Sequence, residues 1–167
     1  VSRFTLNARD APKENRMKQQ ATEKTGPLQL SCFFVGSALC GIDINLIQEM
    51  NRQMEMTKVP QAPAYVLGIM NLRGRIVTII DLGRKLGLAP SKVTETSRII
   101  IVNSRDENIG LLVDRITDVV TDKWEHVEPT PSNIKGLKGR YFTGVLKTAK
   151  DLVAVLDVES VLSDDQA

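Results

Sequence analysis

GIMNLRGRIVTIIDLGRKLG, residues 68–87, decides the fold, because the same pattern returns as GVLKTAKDLVAVLDVESVLS at residues 144–163. In each copy a glycine opens an apolar run, a polar turn follows, and a second apolar run ends in an aspartate, Asp81 or Asp157. A short helical pattern comes after each aspartate. Upstream, GIDINLIQEM at 41–50 lines up in the same way with GLLVDRITDV at 110–119, the second half carrying seven extra residues in its connecting segment. Two copies mean a duplicated supersecondary unit, since a solenoid needs three or more units to bury a continuous core. Each half holds roughly 60 to 70 residues, a size at which a core of its own is marginal. The halves are therefore expected to pack together and leave a groove between them.

Working outward, the chain from Leu28 reads as short runs of Val, Ile and Phe separated by Gly, Asn and Pro, the texture of strands and turns. LQLSCFFVG and GIDINLI form a hairpin, and Pro60 and Pro63 end any regular element after QEMNRQMEMTKVP. SRIIIVN and NIGLLVD form a second hairpin, and TDVVTDKWEHV runs into the Pro129 and Pro131 turn. Gly68, Gly74, Gly83 and Gly87 are placed where a strand must turn, and Asp81 and Asp157 where each caps a short helix. The fold class is all-β with minor α: two pseudo-repeated small barrels packed together, ending in a short C-terminal helix.

Composition bounds the function. With 42% apolar and 25% charged residues, 167 residues make about one domain. Residues 1–27 hold six Lys/Arg against three Asp/Glu and show no sustained apolar period, so they are read as a disordered N-terminal tail. A short helix around Arg16 to Lys24 would have almost no apolar face, and a basic arm touching a membrane or acidic partner is the functional alternative for this tail. The domain proper is 28–167, two intertwined barrel subdomains with sixteen basic against seventeen acidic residues. That balance, with 4% aromatics, speaks against nucleic acid. No run reaches the roughly 18 to 20 apolar residues of a membrane helix, and the N-terminus lacks a signal's apolar region, so a cytoplasmic protein is expected.

A search for catalytic chemistry comes back almost empty. Cys32 and Cys40 flank the Gly36-Ser37 turn, from where they could face one another across a strand pair, and are read as two small buried thiols. With one histidine, His126, read as exposed, and no CxxC, neither a metal site nor a nucleophilic triad is supported. Asp81 and Asp157 hold equivalent repeat positions, which favours capping over an acid-base pair. The glycines match neither a P-loop nor a dinucleotide fingerprint. No enzyme and no cofactor is expected.

YVLGIMNLRGRIVTIIDLGRKLGL, residues 65–88, preceded by GIDINLIQEM and followed by GLLVDRITDVV, resembles the CheW family of chemotaxis coupling proteins. There N-L-R-G, an apolar strand and D-L occur in that order; Thr78 stands where the family commonly has proline. The resemblance runs from Leu28 to Leu162 and implies two five-stranded, SH3-like barrels around a shared apolar interface. It also implies an adaptor that performs no chemistry and joins chemoreceptor tips to the regulatory domain of the CheA histidine kinase. Such an adaptor sits in the cytoplasm at receptor arrays and meets the membrane only through the receptors. Carried onto this chain, the receptor surface is the groove between barrels, with Ile44, Ile47, Glu49, Arg73, Ile116 and Val119. Strand alternation makes at least half of these strand residues core in the plainer reading. Ala149 stands where Arg73 would in the repeat, so the fold is not expected to need that arginine; it is read as forking to a partner's carboxylates or carbonyls, with a solvated surface arginine or an internal turn-stabilising pair as the plainer readings. Kinase contacts are placed near Leu67, Met70 and Ile76. The alternatives are a regulatory module of another CheA or CheV-type system, such as one driving pili, and a double barrel holding a small ligand. A CheV-type protein would carry a receiver domain after this module, whereas the chain stops five residues after Leu162.

Overall fold

Strand β6 (Arg98–Ser104) shows in one line how this chain builds three cores. Its run IIIV is apolar on both faces, so alternation sends Ile99 and Ile101 one way and Ile100 and Val102 the other, all at most 1% exposed. The first pair fills the interior of one barrel, and the second joins a core shared by both barrels. These relations come from a computed structural model, which describes residues 24–134 and 136–163. The tail expected over 1–27 and the helix expected near Arg16 thus fall almost wholly outside the described residues.

The strands are β1 (Pro27–Val35), β2 (Ala38–Asp43), β3 (Ile47–Asn51), β4 (Val66–Leu72), β5 (Arg75–Asp81), β6, β7 (Glu107–Val113), β8 (Arg115–Lys123), the two-residue β9 (Asn133–Ile134) and β10 (Leu137–Lys138), β11 (Phe142–Lys147) and β12 (Leu152–Leu156). Two short helices, α1 (Leu82–Lys85) and α2 (Val158–Leu162), follow β5 and β12. One five-stranded sheet runs β11-β12-β2-β1-β8 and the other β4-β5-β7-β6-β3, the same order once each strand is replaced by its repeat partner. The sequence halves are therefore not the barrels. Barrel 1 takes β1 and β2 from the first half and β8, β11 and β12 from the second; barrel 2 takes β3 to β7, and β9 and β10 pair with each other. The chain crosses between sheets at a 3-10 turn, Ile44–Leu46, whose Asn45 amide donates to Asp43 at 3.0 Å. It crosses back at Asp114, whose carboxylate accepts from the Gly36 amide at 2.7 Å.

The repeat extends to details. Asp81 caps α1, accepting from the Arg84 amide at 3.3 Å, and Asp157 caps α2, accepting from the Ser160 amide at 3.3 Å. The Asp81 amide donates to the Tyr65 carbonyl and the Asp157 amide to the Tyr141 carbonyl, both at 2.8 Å. These tyrosines are a repeat pair too, and they frame Lys85, a 5%-exposed lysine in the shared core. Its ammonium lies 4.1 Å from the Tyr65 ring and 5.9 Å from that of Tyr141. Not every glycine marks a turn, however. Gly68 lies within β4, where the chain crosses the Thr57 carbonyl, and Gly83 is a buried member of α1.

Cys32 and Cys40 do not face one another. Cys32 is registered against Gly41 and Cys40 against Phe33, so the first thiol enters barrel 1 and the second enters the shared core on the opposite face. Both are free. Burial pushes the Cys32 thiol up to about 11 and the Cys40 thiol up to about 12. Neither thiol is expected to react with a disulfide reagent at pH 8 in the folded protein, and both to react in denaturant. Because the unfolded thiols ionise first, near 9.0, their contribution to stability is complete below that pH. It falls as pH rises toward 11 to 12, which urea titrations at stepped alkaline pH would show.

Candidate functional site: the inter-barrel face and the Arg73 turn

β3 and β8 are repeat partners and edge strands, β3 pairing only with β6 and β8 only with β1. Each carries an isoleucine at the same repeat position, Ile47 and Ile116. Both are half-buried, and both pack onto the shared core from its rim. Ile44, in the crossing turn, is also half-buried, and Val119 is 57% exposed. The sequence reading missed Leu46 and Met50, 41% and 44% exposed on either side of Ile47 and Glu49. Ile47 and Glu49, two residues apart, are both half-buried as strand alternation dictates, with exposed residues between and beside them.

Arg73 sits at the tip of a two-residue hairpin turn closed by the pairing of Leu72 with Arg75. Arg73 and Gly74 both have positive φ, 54° and 84°, the pattern of a type I′ turn. The Asn71 side-chain oxygen braces it by accepting from the Gly74 amide at 3.0 Å. The Arg73 guanidinium forms an ion pair with Glu49, so the two charged residues of the expected receptor surface meet. Since β3 and β4 lie at opposite ends of the sheet order, this pair closes barrel 2 across its seam. The Arg73 side chain is 75% exposed and that of Glu49 30%, so the pair is within a partner's reach and adds about 0–1 kcal/mol to stability. The comparison with Ala149 needs correction. Ala149 belongs to a four-residue turn between Lys147 and Leu152, where no positive φ is required, and so says nothing about what the tighter Arg73 turn demands.

The expected kinase-facing residues divide. Ile76, on β5 three residues beyond Arg73, is 61% exposed, and Leu67 is half-buried over the barrel interior. Met70 is 2% exposed and fills barrel 2, so it has no surface to offer. Elsewhere, the His126 side chain is 63% exposed and its Nδ1 lies 2.5 Å from Asp122. That hydrogen bond, with one from the Lys123 amide, holds the Asp122 carboxyl below its ordinary value. A cleft of about 800 Å³ at the Asp114 crossing is lined by Phe34, Leu88, Pro90, Lys92 and Arg115 among others. Much of its polar chemistry is already paired: Asp114 holds the Gly36 amide, Ser91 donates to Asp81, and Thr96 donates to the Asp114 carbonyl. Among the described residues no helix is long and apolar enough to cross a membrane.

Comparison with known proteins agrees with this architecture. A family model described as the CheW-like domain matches residues 29–166. The chain is 32% identical over 142 residues to a probable chemotaxis protein CheW of Rhizobium etli, covering 85% of this chain and 92% of that one. It is 32% identical over 148 residues to the chemotaxis protein CheW of Helicobacter pylori, covering 89% and 88% respectively. The solved scaffolding protein TtCheW of Thermoanaerobacter tengcongensis superposes with a TM-score of 0.76 at 28% identity, over 84% of this chain and 90% of that one. With the duplicated five-stranded barrels and the N-L-R-G turn in place, the chain belongs to the CheW family of chemotaxis scaffold proteins.

Proposed function

We propose that this chain is a coupling adaptor that joins chemoreceptor cytoplasmic tips to the regulatory domain of the CheA histidine kinase. The observation that carries the reading is the placement of the repeat-equivalent Ile47 and Ile116 on the rim of the shared core, with Glu49 of the solvent-reachable Glu49–Arg73 pair on the strand of Ile47. A receptor tip is a helical hairpin, and apolar anchors recurring at helical spacing suit two half-exposed isoleucines on facing barrels. The ion pair supplies orientation: a partner carboxylate competes with Glu49 for the Arg73 guanidinium. The kinase surface is a different one, centred on Ile76 and Leu67.

Arg73 and Ile76 share one hairpin, and that gives the coupling a physical route. A partner that draws Arg73 away from Glu49 changes the closure of barrel 2 next to the strand that carries Ile76. Two ligands that favour different arrangements of one element influence each other's affinity by the same factor. The chain itself carries out no reaction, and it works in the cytoplasm at receptor arrays. Titration calorimetry of the chain against a receptor-tip hairpin and, separately, a CheA regulatory domain tests this. Saturable binding to both is expected; a folded protein that binds neither would restrict the family likeness to architecture.

A further inference from the structure

We propose that Met54 and Met56 form a peroxide-sensitive modification site at the mouth of barrel 2. Four of the five methionines, Met50, Met54, Met56 and Met70, fall within residues 50–70. Met54 and Met56 are half-buried and cover the interior made by Met70, Val77, Ile79 and Ile101. Barrel 1 has the same closure in different chemistry. Thr57 is bridged to Ile69 and Glu128 to Val145, so Met56, which precedes Thr57, occupies the post held in barrel 1 by Val127, which precedes Glu128. Val127 and the nearby Trp124 are each only 8% exposed and close barrel 1 with side chains that lack a thioether. One barrel is thus sealed by groups that lack a thioether, the other by two half-buried methionines.

Hydrogen peroxide or an alkyl hydroperoxide is the reagent. The thioether lone pair attacks one peroxide oxygen and the O–O bond breaks. That oxygen stays on sulfur, and water or the alcohol leaves with the proton. Sulfur is oxidised by two electrons and the peroxide reduced by two. The sulfoxide is polar and needs hydrogen-bond donors, which the neighbouring Leu67, Leu72, Val77 and Ile79 side chains lack. The modified side chains turn to solvent, and the segment around Thr57 leaves the barrel mouth with its two 2.8 Å hydrogen bonds to Ile69. The inference is independent of which partners the chain binds.

The test treats the folded full chain with graded hydrogen peroxide, maps each methionine by peptide mass, and follows amide exchange at Thr57 and Ile69 with thermal melting. Met54 and Met56 are expected to oxidise at least about tenfold faster than Met70, as exposure dictates. Their oxidation should abolish protection at the Thr57–Ile69 bridge and lower the melting temperature by several degrees, and methionine sulfoxide reductase should reverse both. The double variant Met54→Leu, Met56→Leu should keep its bridge protection under peroxide. Full oxidation at both sites with unchanged exchange and melting in the natural chain would overturn the proposal, and this reading needs no variant. So would an equal loss in the leucine variant.

Discussion

Replacing Gly144 with alanine is expected to cost about 2–3 kcal/mol of stability, seen as a melting temperature lower by roughly 5–10 °C. A Cβ there would lie 2.4 Å from the Glu128 carbonyl oxygen and 2.5 Å from a Val127 methyl. The collision is with backbone, which cannot swing aside as a side chain can. Glu128 is itself held to Val145 by two backbone hydrogen bonds of 2.8 and 2.9 Å, so moving it breaks the seal of barrel 1. The repeat supplies the control: Gly68→Ala would place its Cβ 2.4 Å from the Thr57 carbonyl and should cost a similar amount. Urea denaturation measures both, and losses under about 0.5 kcal/mol would mean these crossings yield easily.

Arg73→Glu is expected to weaken binding of a receptor-tip hairpin about a hundredfold while leaving the barrels folded. The side chain is exposed and its pair with Glu49 contributes little to stability, so reversal places two carboxylates at the seam at a cost of about 1 kcal/mol. Arg73→Ala should leave stability within about 1 kcal/mol and weaken receptor binding less. The swap Arg73→Glu with Glu49→Arg separates the roles. It restores an ion pair and the lost stability, yet keeps the cation away from the turn tip, so receptor binding should stay weak. Recovery of full receptor affinity in the swap, or normal affinity in Arg73→Glu, would assign this arginine to barrel closure alone. Affinity for the kinase domain should shift in Arg73→Ala and Arg73→Glu, which open the pair beside the strand that carries Ile76, and return in the swap, which restores it.

The repeat was legible in the sequence because its signals are local. A glycine is required where two chains cross at Gly68 and Gly144, an aspartate where a strand meets a helix at Asp81 and Asp157, and branched apolar residues in between. Which strands the intertwined halves exchange was not, since strand order along the chain does not state which hairpin completes which sheet. Met70 was misread for a related reason. A register shift between Val66 and Gly68 alters the phase of β4, and a period-two count cannot place a bulge. The Glu49–Arg73 pair joins residues 24 apart through barrel closure, so both could be singled out separately but not as partners.

The crossing of the chain between barrels also sets an order of assembly. All five strands of barrel 2 lie in the unbroken stretch from Ile47 to Val113, so it can close as soon as that stretch leaves the ribosome. Barrel 1 cannot: β1 emerges first, yet Pro27 pairs with Lys123, and β2 must wait for Ala154 and Val155 of β12. The β1–β2 hairpin, apolar on both faces, therefore spends most of synthesis without its sheet, and long-range closure is the slow step. During that interval the aggregation hazard lies at the N-terminal hairpin, which a finished barrel 2 can shelter by offering its half of the shared core early.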